Sequence, residues 1–323
     1  MKALCVFSGG LDSMLASQLV RAQGVEVLAF FFETPFFRSE RARKSAAHIN
    51  LPLKVVDITE RHLEMVQSPK YGYGVNMNPC IDCHALMLRI AGEFLEQESA
   101  DFVISGEVLG QRPMSQNRMS LNRVSTESGL GNLLLRPLSA KHLPVTLPEE
   151  SGWVNRDLLM DIMGRSRKPQ MDLAQKFHIL DYPSPAGGCL LTEKAFSRRL
   201  SHLFSIRARP RINEIELLKL GRHFRIDTGT KLVVGRNRQE NQDIFALAGE
   251  TEVVMMPVSI PGPTALMTGP MSPAFIELAA DITAAYSDTE GIDSAEIKVI
   301  CEGKEEQLPV VPKPKERFRS LMI

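Results

Sequence analysis

Three of the five cysteines have the spacing and setting expected of reactive or ligand-binding thiols. Cys80 and Cys83 form a Cys-x-x-Cys pair, which is typical of half a zinc site or of a redox pair. Cys189 lies in a stretch, 181–192, whose prolines and glycines predict an irregular loop. Because no second Cys-x-x-Cys pair is present, the three thiols predict an open site that suits zinc or an iron–sulfur cluster.

The Cys-x-x-Cys pair stands where a helix is expected to begin, since residues 85–95 have helical spacing. A helix N-terminus favours the thiolate, so we expect these thiols to have lowered pKa values. His84 is a poor fourth ligand, because adjacent side chains on a helix diverge. The other two cysteines, Cys5 and Cys301, belong to strand-like runs and are expected to be buried and inert.

A second candidate site is the hexapeptide Ser8-Gly9-Gly10-Leu11-Asp12-Ser13, between an apolar run (4–7) and a helical stretch (14–20). Its two glycines let the backbone turn sharply and approach a ligand. The start of the helix then presents backbone N–H groups and its positive dipole end. This pattern predicts a site for phosphate or pyrophosphate, with an ordinary serine-capped turn as the alternative. It is neither a Walker loop nor a Gly-x-Gly-x-x-Gly dinucleotide motif.

The composition limits the number of domains and the cellular locations that we expect. The chain has 323 residues, 44% of them apolar and 24% charged, and a formal net charge of zero. These values predict about two domains and leave RNA binding to a local basic patch. No apolar run is long enough for a membrane span, and Met1-Lys2 leads directly into a strand instead of a secretory signal. We therefore expect a cytoplasmic protein without disulfides.

Apolar runs at 4–7, 25–32, 53–56 and 101–105 alternate with helical stretches. This alternation predicts an α/β fold with a doubly wound parallel sheet. Ligands of such sheets bind at the carboxyl ends of the strands. The hexapeptide, Phe31, Phe32 and Gly106 would all lie there, although aromatic residues in a strand are more commonly core residues.

The hexapeptide resembles the PP-loop of ATP pyrophosphatases that adenylate their substrates. The Gly-Glu-x-Leu-Gly-Gln…Ser-Gln run at 106–116 and the Leu-Arg-Pro-Leu run at 135–138 resemble the ThiI type of tRNA thiouridine synthase. The resemblance implies the adenine nucleotide alpha hydrolase-like fold and ATP with Mg²⁺ as cofactors, with Asp12 as a partner of the metal. The implied cofactor-binding residues are Ser8, Gly9, Gly10, Asp12, Ser13, Phe31, Phe32, Gly106 and Gln111. Arg136 is as consistent with a structural role as with a functional one.

For the cysteines the resemblance implies sulfur transfer. Cluster-dependent tRNA thiolases hold a 4Fe–4S cluster with three cysteines, here Cys80, Cys83 and Cys189, and leave one iron free. The cluster-free MnmA types use two cysteines, matching Cys83 and Cys189, and have aspartate where this sequence has Cys80. The additional thiol favours the cluster, with Asp12, Cys83 and Cys189 as catalytic residues. A persulfide on one cysteine resolved by the other, or a zinc ion, are the alternatives.

The composition shifts to basic after residue 196. Two runs, 235–241 and 260–264, resemble the RNA-associated NFACT-R module, although arginines of this kind are also typical of a solvated face. We predict a PP-loop ATP-binding thiolase domain over 1–192, a smaller α+β RNA-binding domain over 193–308, and a Pro- and charge-rich tail over 309–323. This module is expected to replace the THUMP and ferredoxin-like region that precedes the loop in ThiI types.

The resemblance implies ATP-dependent thiolation of a tRNA uridine to 2- or 4-thiouridine. The implied partners are tRNA and a sulfur donor, either sulfide or a cysteine-desulfurase relay. Two other functions stay open: a PP-loop enzyme that adenylates a small molecule or carrier protein, and a non-catalytic, nucleotide-regulated RNA-binding factor.

Overall fold

The computed structural model describes residues 1–184 and 189–323. These residues divide into two compact units, Met1–Thr192 and Glu193–Ile323. Each unit has its own sheet and its own hydrophobic core.

The first unit is built on a five-stranded sheet with the strand order β3-β2-β1-β4-β5, in which every pairing is parallel. The predicted α/β class is therefore confirmed. The strands are β1 (Lys2–Val6), β2 (Glu26–Glu33), β3 (Leu53–Asp57), β4 (Phe102–Ser105) and β5 (Leu134–Leu135).

The strand order reverses between β1 and β4. From β1 the chain builds outwards through β2 to β3, and β4 then pairs on the other side of β1. The loops that follow β1 and β4 consequently leave the sheet in opposite directions. Such a switch point opens a crevice at the carboxyl edge, where α/β proteins bind their ligands.

The helices of the first unit cover two hydrophobic cores, because parallel strands are buried on both faces. One core contains Phe7, Met14 and Phe102, and the other contains Leu4, Phe30 and Leu88. Leu4 and Cys5 show the alternation directly, since these neighbours belong to different cores. The helices are α1 (Leu11–Arg21), α2 (Glu40–His48), α3 (Thr59–Gln67), α4 (Cys80–Glu93), α5 (Arg118–Ser128), α6 (Leu147–Glu150) and α7 (Lys168–Lys176).

The second unit has a six-stranded antiparallel sheet with the order β11-β10-β8-β9-β7-β6. Its core contains Phe224, Met255 and Ile282. The helices are α8 (Lys194–Ile206), α9 (Ile212–Leu217), α10 (Arg238–Leu247) and α11 (Pro273–Ala285). The strands are β6 (Arg222–Arg225), β7 (Lys231–Val234), β8 (Val253–Pro257), β9 (Ala265–Thr268), β10 (Ala295–Cys301) and β11 (Lys304–Val310).

The structure differs from the sequence prediction at the end of the chain. The predicted tail, 309–323, begins in β11 and continues into a 3₁₀ helix, Lys315–Leu321. Phe318 is 3% exposed and belongs to the core of the second unit. Val310 belongs to the same core and Leu321 packs against it, so apolar residues spaced along a charged segment fix it to the second unit. Among the described residues, no helix is long and apolar enough to cross a membrane.

Candidate active site

The hexapeptide Ser8–Ser13 forms the turn between β1 and α1, at the switch point of the sheet. Gly9 has φ +74°, a left-handed conformation that glycine adopts without strain. A Cβ atom on Gly9 would lie only 2.7 Å from the Cα atom of Ala42, so α2 also requires a glycine here. Ser45, in the same helix, donates a hydrogen bond of 2.8 Å to the Gly9 carbonyl. The turn is therefore clamped against α2.

The start of α1 presents polar groups towards the crevice. Ser13 donates a hydrogen bond of 2.8 Å to the Gly10 carbonyl, and the Ser8 hydroxyl lies 3.4 Å from that of Ser13. The Gly10 N–H donates to the Ser8 hydroxyl at 3.3 Å. The first N–H groups of a helix lack intrahelical partners and carry its positive dipole end. This arrangement suits an anion such as pyrophosphate.

Gly9→Ala is expected to destabilise the first unit by more than the matched variant Gly24→Ala. Both residues have positive φ, which costs an L-residue roughly 1–2 kcal/mol, but a Cβ atom on Gly24 meets nothing within 4 Å. The clash with α2 adds to the strain only at Gly9, and it displaces the loop. Chemical denaturation and calorimetric ATP titration measure the two effects. If both variants lose the same stability and keep their ATP affinity, the claim that α2 holds the Gly9 turn in place is contradicted.

The Asp12 carboxylate is hydrogen-bonded to the loop that follows β4. The Gln111 amide donates a hydrogen bond of 2.8 Å to Asp12 Oδ2, and Gln170 donates to Gln111 Oε1 at 3.1 Å. Asp12 Oδ1 is buried and has no hydrogen-bond partner among the described residues. A buried carboxylate oxygen without a partner is costly. It fits a divalent cation or a hydroxyl donor at the loop.

Gly106 lies where β4 ends against the start of α1. A Cβ atom on Gly106 would lie 2.6 Å from the Ser13 nitrogen and 2.7 Å from the Asp12 carbonyl carbon. The glycine therefore permits a close approach between the two loops of the crevice. The nucleotide contact predicted for Gly106 stays a prediction, and the structure adds a close approach to the backbone of the hexapeptide.

Phe31 and Phe32, which the sequence predicts at the nucleotide, lie in β2. They are 7% and 2% exposed, and their rings belong to the two opposite cores of the first unit. Both side chains are thus used for packing, because adjacent residues of a buried parallel strand face opposite sides of the sheet.

Glu107 follows Gly106 and connects this region to the cysteine helix. Its carboxylate accepts hydrogen bonds of 2.8 Å from Arg136 Nε, and it lies 2.8 Å from His84 Nδ1 in α4. Glu107 and Arg136 are 7% and 6% exposed in their side chains. Burial opposes ionisation of Glu107, but the charges and hydrogen bonds of Arg136 and His84 outweigh it and lower the pKa of this carboxyl to about 2. Arg136 thus has a structural role.

The lowered pKa of Glu107 predicts a specific loss of stability in acid. A carboxyl whose pKa falls from 4.5 in the unfolded chain to about 2 in the fold stabilises the fold above pH 4.5. This contribution, on the order of 3 kcal/mol, is lost as the pH falls from 4.5 to 2. Urea denaturation across this window measures it. Glu107→Gln should remove this part of the pH dependence, and an unaltered profile in that variant would contradict the assignment.

The three predicted thiols come together in the first unit. Cys80 and Cys83 lie in the first turn of α4, and Cys189 directly precedes the 3₁₀ helix Leu190–Thr192. Burial raises the pKa of the Cys83 thiol, and the nearby Cys189 and Cys80 raise it further. Burial likewise raises the pKa of Cys189, with a smaller effect from Cys80. The expectation that the helix N-terminus lowers these pKa values is therefore wrong for Cys83, because burial and neighbouring thiols outweigh the dipole.

Polar neighbours hold each thiol in place. His62, in α3, is fully buried, and its Nε2 atom lies 3.3 Å from Cys83 Sγ. Burial lowers the pKa of His62 to about 4, so a neutral imidazole faces this sulfur at neutral pH. The Asn78 amide donates to Cys80 Sγ at 3.3 Å. These contacts fix the two thiols in different surroundings.

The Cys189 backbone is tied to the segment that precedes α4. Thr192 donates through its hydroxyl and its N–H to the Cys189 carbonyl, at 2.7 and 2.9 Å. The Asn76 amide in turn donates to the Thr192 carbonyl at 2.6 Å. Part of the predicted loop before Cys189, residues 185–188, lies outside the described residues.

Among the described residues, the three thiols form a donor set for an iron–sulfur cluster and not for a single metal ion. Within residues 1–184 and 189–323, no three His, Cys, Asp or Glu side chains are grouped as ligands of one metal ion. The chemistry of three neighbouring thiols does fit an iron–sulfur cluster, whose cysteines bind different irons. Cys5 is fully buried and Cys301 lies in β10 of the second unit, so neither belongs to this set.

Sequence analysis missed His62 and the role of Glu107. His62 lies 21 residues before Cys83 and has no motif around it. Glu107 could have been recognised, because it is a charged residue close to the end of a buried strand. β4 ends at Ser105, and Gly106 and Glu107 follow.

The chain was compared with known proteins. Residues 1–142 match the family model "Thiamine biosynthesis protein (ThiI)", and residues 221–322 match "NFACT protein RNA binding domain". The "Probable tRNA sulfurtransferase" of Thermoanaerobacter sp. (strain X514) is 30% identical over 148 residues, covering 42% of this chain and 36% of that protein. That of Geobacillus kaustophilus (strain HTA426) is 32% identical over 119 residues, covering 34% of this chain and 28% of that protein. The chain thus spans about a third of the length of these curated relatives.

Solved structures give weaker similarities. A 4-thiouridine synthetase–RNA complex with bound ATP has a TM-score of 0.36 and 18% identity, covering 55% of this chain and 52% of that one. The C-terminal part of a fibronectin/fibrinogen-binding protein from Streptococcus suis has a TM-score of 0.29 and 14% identity, covering 82% and 98%. Such scores are too low to support an argument about function. Two segments of the chain are thus similar to known families: residues 1–142 resemble ThiI, and residues 221–322 resemble the RNA-binding domain of NFACT proteins.

Proposed function

We propose that this protein is an ATP-dependent tRNA sulfurtransferase that adenylates a uridine carbonyl and replaces its oxygen with sulfur. The observation that supports this best is the physical continuity of the two candidate sites. Gly106 lies against the hexapeptide Ser8–Ser13, which we call the anion-binding loop. The next residue, Glu107, is hydrogen-bonded to His84, the neighbour of Cys83 in the sequence. One unit thus joins a phosphate cradle to a group of thiols.

The loop is proposed to bind the β- and γ-phosphates of ATP. The N-terminus of α1 and the hydroxyls of Ser8 and Ser13 would stabilise the pyrophosphate as it leaves. Asp12 Oδ1, which lacks a partner among the described residues, would take part in holding Mg²⁺. Gln111 would keep Asp12 oriented towards the loop.

The first step makes the uridine carbonyl reactive. Its oxygen attacks the α-phosphate of ATP, the α–β phosphoanhydride bond breaks, and pyrophosphate leaves. The oxygen, a poor leaving group by itself, now departs as AMP when sulfur attacks the ring carbon. Whether that carbon bears O2 or O4 decides between 2-thiouridine and 4-thiouridine.

We propose that Cys80, Cys83 and Cys189 hold a 4Fe–4S cluster. Their soft sulfur donors support this proposal, as does the proximity of Cys80 and Cys189 to Cys83, which adds to the effect of burial in raising the pKa of the Cys83 thiol. The bound cluster would present sulfide at its non-cysteine iron. His62 and Asn78 would orient Cys83 and Cys80 through their contacts to the sulfurs.

The alternative uses a persulfide on one of Cys83 and Cys189. Its outer sulfur attacks the activated carbon and AMP leaves, which links the uridine to the protein through a disulfide. The second thiol cleaves that bond, releases thiouridine and forms a Cys83–Cys189 disulfide. A thiol reductant must then reduce this disulfide to restore the two thiols. In this alternative the sulfur comes from a cysteine-desulfurase relay, which transfers sulfur already at the persulfide level, whereas sulfide could serve as the donor only with the cluster.

An ultraviolet–visible spectrum with iron and sulfide analysis, on protein purified without oxygen, decides between the two. A broad visible band, with bound iron, that disappears in Cys80→Ser, Cys83→Ser and Cys189→Ser supports the cluster. Metal-free protein that still thiolates tRNA after attempted reconstitution overturns the cluster and supports the persulfide.

The second unit is proposed to bind the tRNA. It matches a family described as RNA binding, and it carries many arginines. Some of these charges are neutralised within the unit, since Arg211 pairs with Glu252 and Arg236 with Glu240. Within the described part of the chain, Arg222, Arg225 and Arg238 form no ion pair with an acidic side chain and are the better phosphate contacts. We place the protein in the cytoplasm with its proposed tRNA substrate.

Pyrophosphate release separates this function from its alternatives. An enzyme for a small molecule or carrier protein would exchange ATP and pyrophosphate without RNA. A non-catalytic RNA-binding factor would release none and would bind RNA equally well as Asp12→Asn. tRNA-dependent pyrophosphate release that is lost in Asp12→Asn is the expected result.

A further inference from the structure

A pocket of about 530 Å³ opens on the surface of the first unit, away from the anion-binding loop. We call it the α5 pocket, because five of its lining residues belong to that helix. They are Arg118, Met119, Asn122, Arg123 and Thr126, with Tyr71 opposite. Met119 is 59% exposed, so a large part of this apolar side chain faces solvent at the pocket.

The α5 pocket has a positive character. The Arg123 guanidinium lies 5.2 Å from the centroid of the Tyr71 ring. The nearby acid, Glu127, is already bound by Lys70 Nζ at 2.6 Å and by the Tyr71 hydroxyl at 2.8 Å. Arg118 has no ion pair within the described part of the chain. The cations at the pocket mouth are thus available to an anionic ligand.

The α5 pocket is anchored to the cysteine helix. The N–H groups of Lys70 and Tyr71 donate to the Asp82 carboxylate at 3.0 and 3.1 Å. Asp82 lies between Cys80 and Cys83 in the first turn of α4. Since these bonds come from the backbone, they hold the pocket beside the thiols independently of the Tyr71 side chain.

The chemistry of the lining matches an unpaired nucleotide. The Tyr71 ring and the Met119 thioether offer an apolar platform for a base face. The Asn122 amide and the Thr126 hydroxyl offer donors and acceptors for a base edge, and arginines suit phosphate. The volume is in the usual range of small-ligand pockets. Single-stranded RNA is recognised by this combination of stacking, edge contacts and cations.

We propose that the α5 pocket binds an unpaired nucleotide of the RNA substrate, next in the chain to the uridine that is modified. This inference rests on the proposed function for the identity of the substrate. The pocket would hold the neighbouring nucleotide out of any duplex, so that the target uridine reaches the crevice beside the thiols.

Binding of unmodified tRNA to the full-length protein, followed by fluorescence anisotropy, tests the proposal. Tyr71→Ala and the double variant Arg118→Gln/Asn122→Ala are expected to weaken binding by about 10-fold or more, the scale of one lost stacking contact. Tyr71→Phe keeps the ring and should bind as the wild type does. Lys176→Gln, which removes an exposed charge from α7, is the control for a merely electrostatic loss. A single-stranded RNA of about 12 nucleotides should compete for the pocket, and a duplex of the same sequence should not.

Two outcomes separate this inference from the proposed function. If the wild type binds tRNA without thiolating it, while Tyr71→Ala binds weakly, the pocket stands and the proposed function fails. If the wild type thiolates tRNA, and Tyr71→Ala has the same affinity and the same KM for tRNA, only the pocket inference is overturned and the proposed function stands. Equal weakening by Lys176→Gln, or competition by the duplex, overturns it as well, as would a pocket that binds a protein and not RNA.

Discussion

Serine in place of Cys83 or Cys189 is expected to lower the rate of thiouridine formation by about 1000-fold or more, the scale of removing an essential nucleophile. A hydroxyl cannot carry transferable sulfur, and it is a poor ligand for iron in a cluster. Both thiols lie where burial and their mutual proximity perturb their ionisation. The measurement is the thiouridine content of tRNA digests, by mass spectrometry, after reaction with ATP and a sulfur donor.

The matched control is Cys301→Ser, which alters a partly buried thiol in β10 of the second unit. It should retain full activity. Cys83→Ser and Cys189→Ser should still bind ATP, because neither cysteine side chain forms a hydrogen bond with the hexapeptide within the described residues. Normal thiouridine yield from Cys83→Ser or Cys189→Ser, with a cooperative melting transition like that of the wild type, would contradict the assignment of these thiols.

Glu107→Gln is expected to destabilise the first unit by roughly 3–5 kcal/mol, the usual effect of removing one partner of a buried ion pair. The Arg136 guanidinium is 6% exposed in its side chain, and it also donates to Ser125 Oγ and to the Leu121 carbonyl. Without the Glu107 carboxylate its charge stays buried and uncompensated. Urea denaturation at pH 7 measures the loss.

Glu93→Gln provides the comparison. The Arg61–Glu93 pair has the same groups at 2.7 Å, but its side chains are 44% and 48% exposed. Solvent-exposed pairs of this kind contribute about 0–1 kcal/mol. The double variant Glu107→Gln/Arg136→Met should recover part of the stability, because it removes the stranded charge. Similar small losses from Glu107→Gln and Glu93→Gln would show that the buried network is not important for the fold.

The parallel sheet of the first unit could be predicted because its strands are continuous apolar runs separated by helices. The antiparallel sheet of the second unit was harder to recognise. β11 has the sequence Lys-Glu-Glu-Gln-Leu-Pro-Val, and most of its side chains are exposed. It pairs only with β10, at the edge of the sheet, where charged residues are common. Hydrophobic periodicity therefore gave little indication of this strand.

The candidate site was predictable in part. The hexapeptide and the Cys-x-x-Cys pair are local patterns, so their residue types and spacing are visible in the sequence. The contacts that organise them join distant segments, as Gln111 to Asp12 and Glu107 to His84 show. Strand order determines those contacts, and no single segment encodes it. The packing of the aromatic pair in β2 depends on the whole sheet as well, since both faces of that strand are buried.

The most direct test of the central claim is a reaction of purified protein with unmodified tRNA, ATP, Mg²⁺ and sulfide without oxygen, in which pyrophosphate and thiouridine are measured together. The proposed function predicts that both products form, in comparable amounts, only when tRNA is present, and that Asp12→Asn forms neither. Pyrophosphate release that is independent of tRNA, or tRNA binding without pyrophosphate or thiouridine, would contradict it.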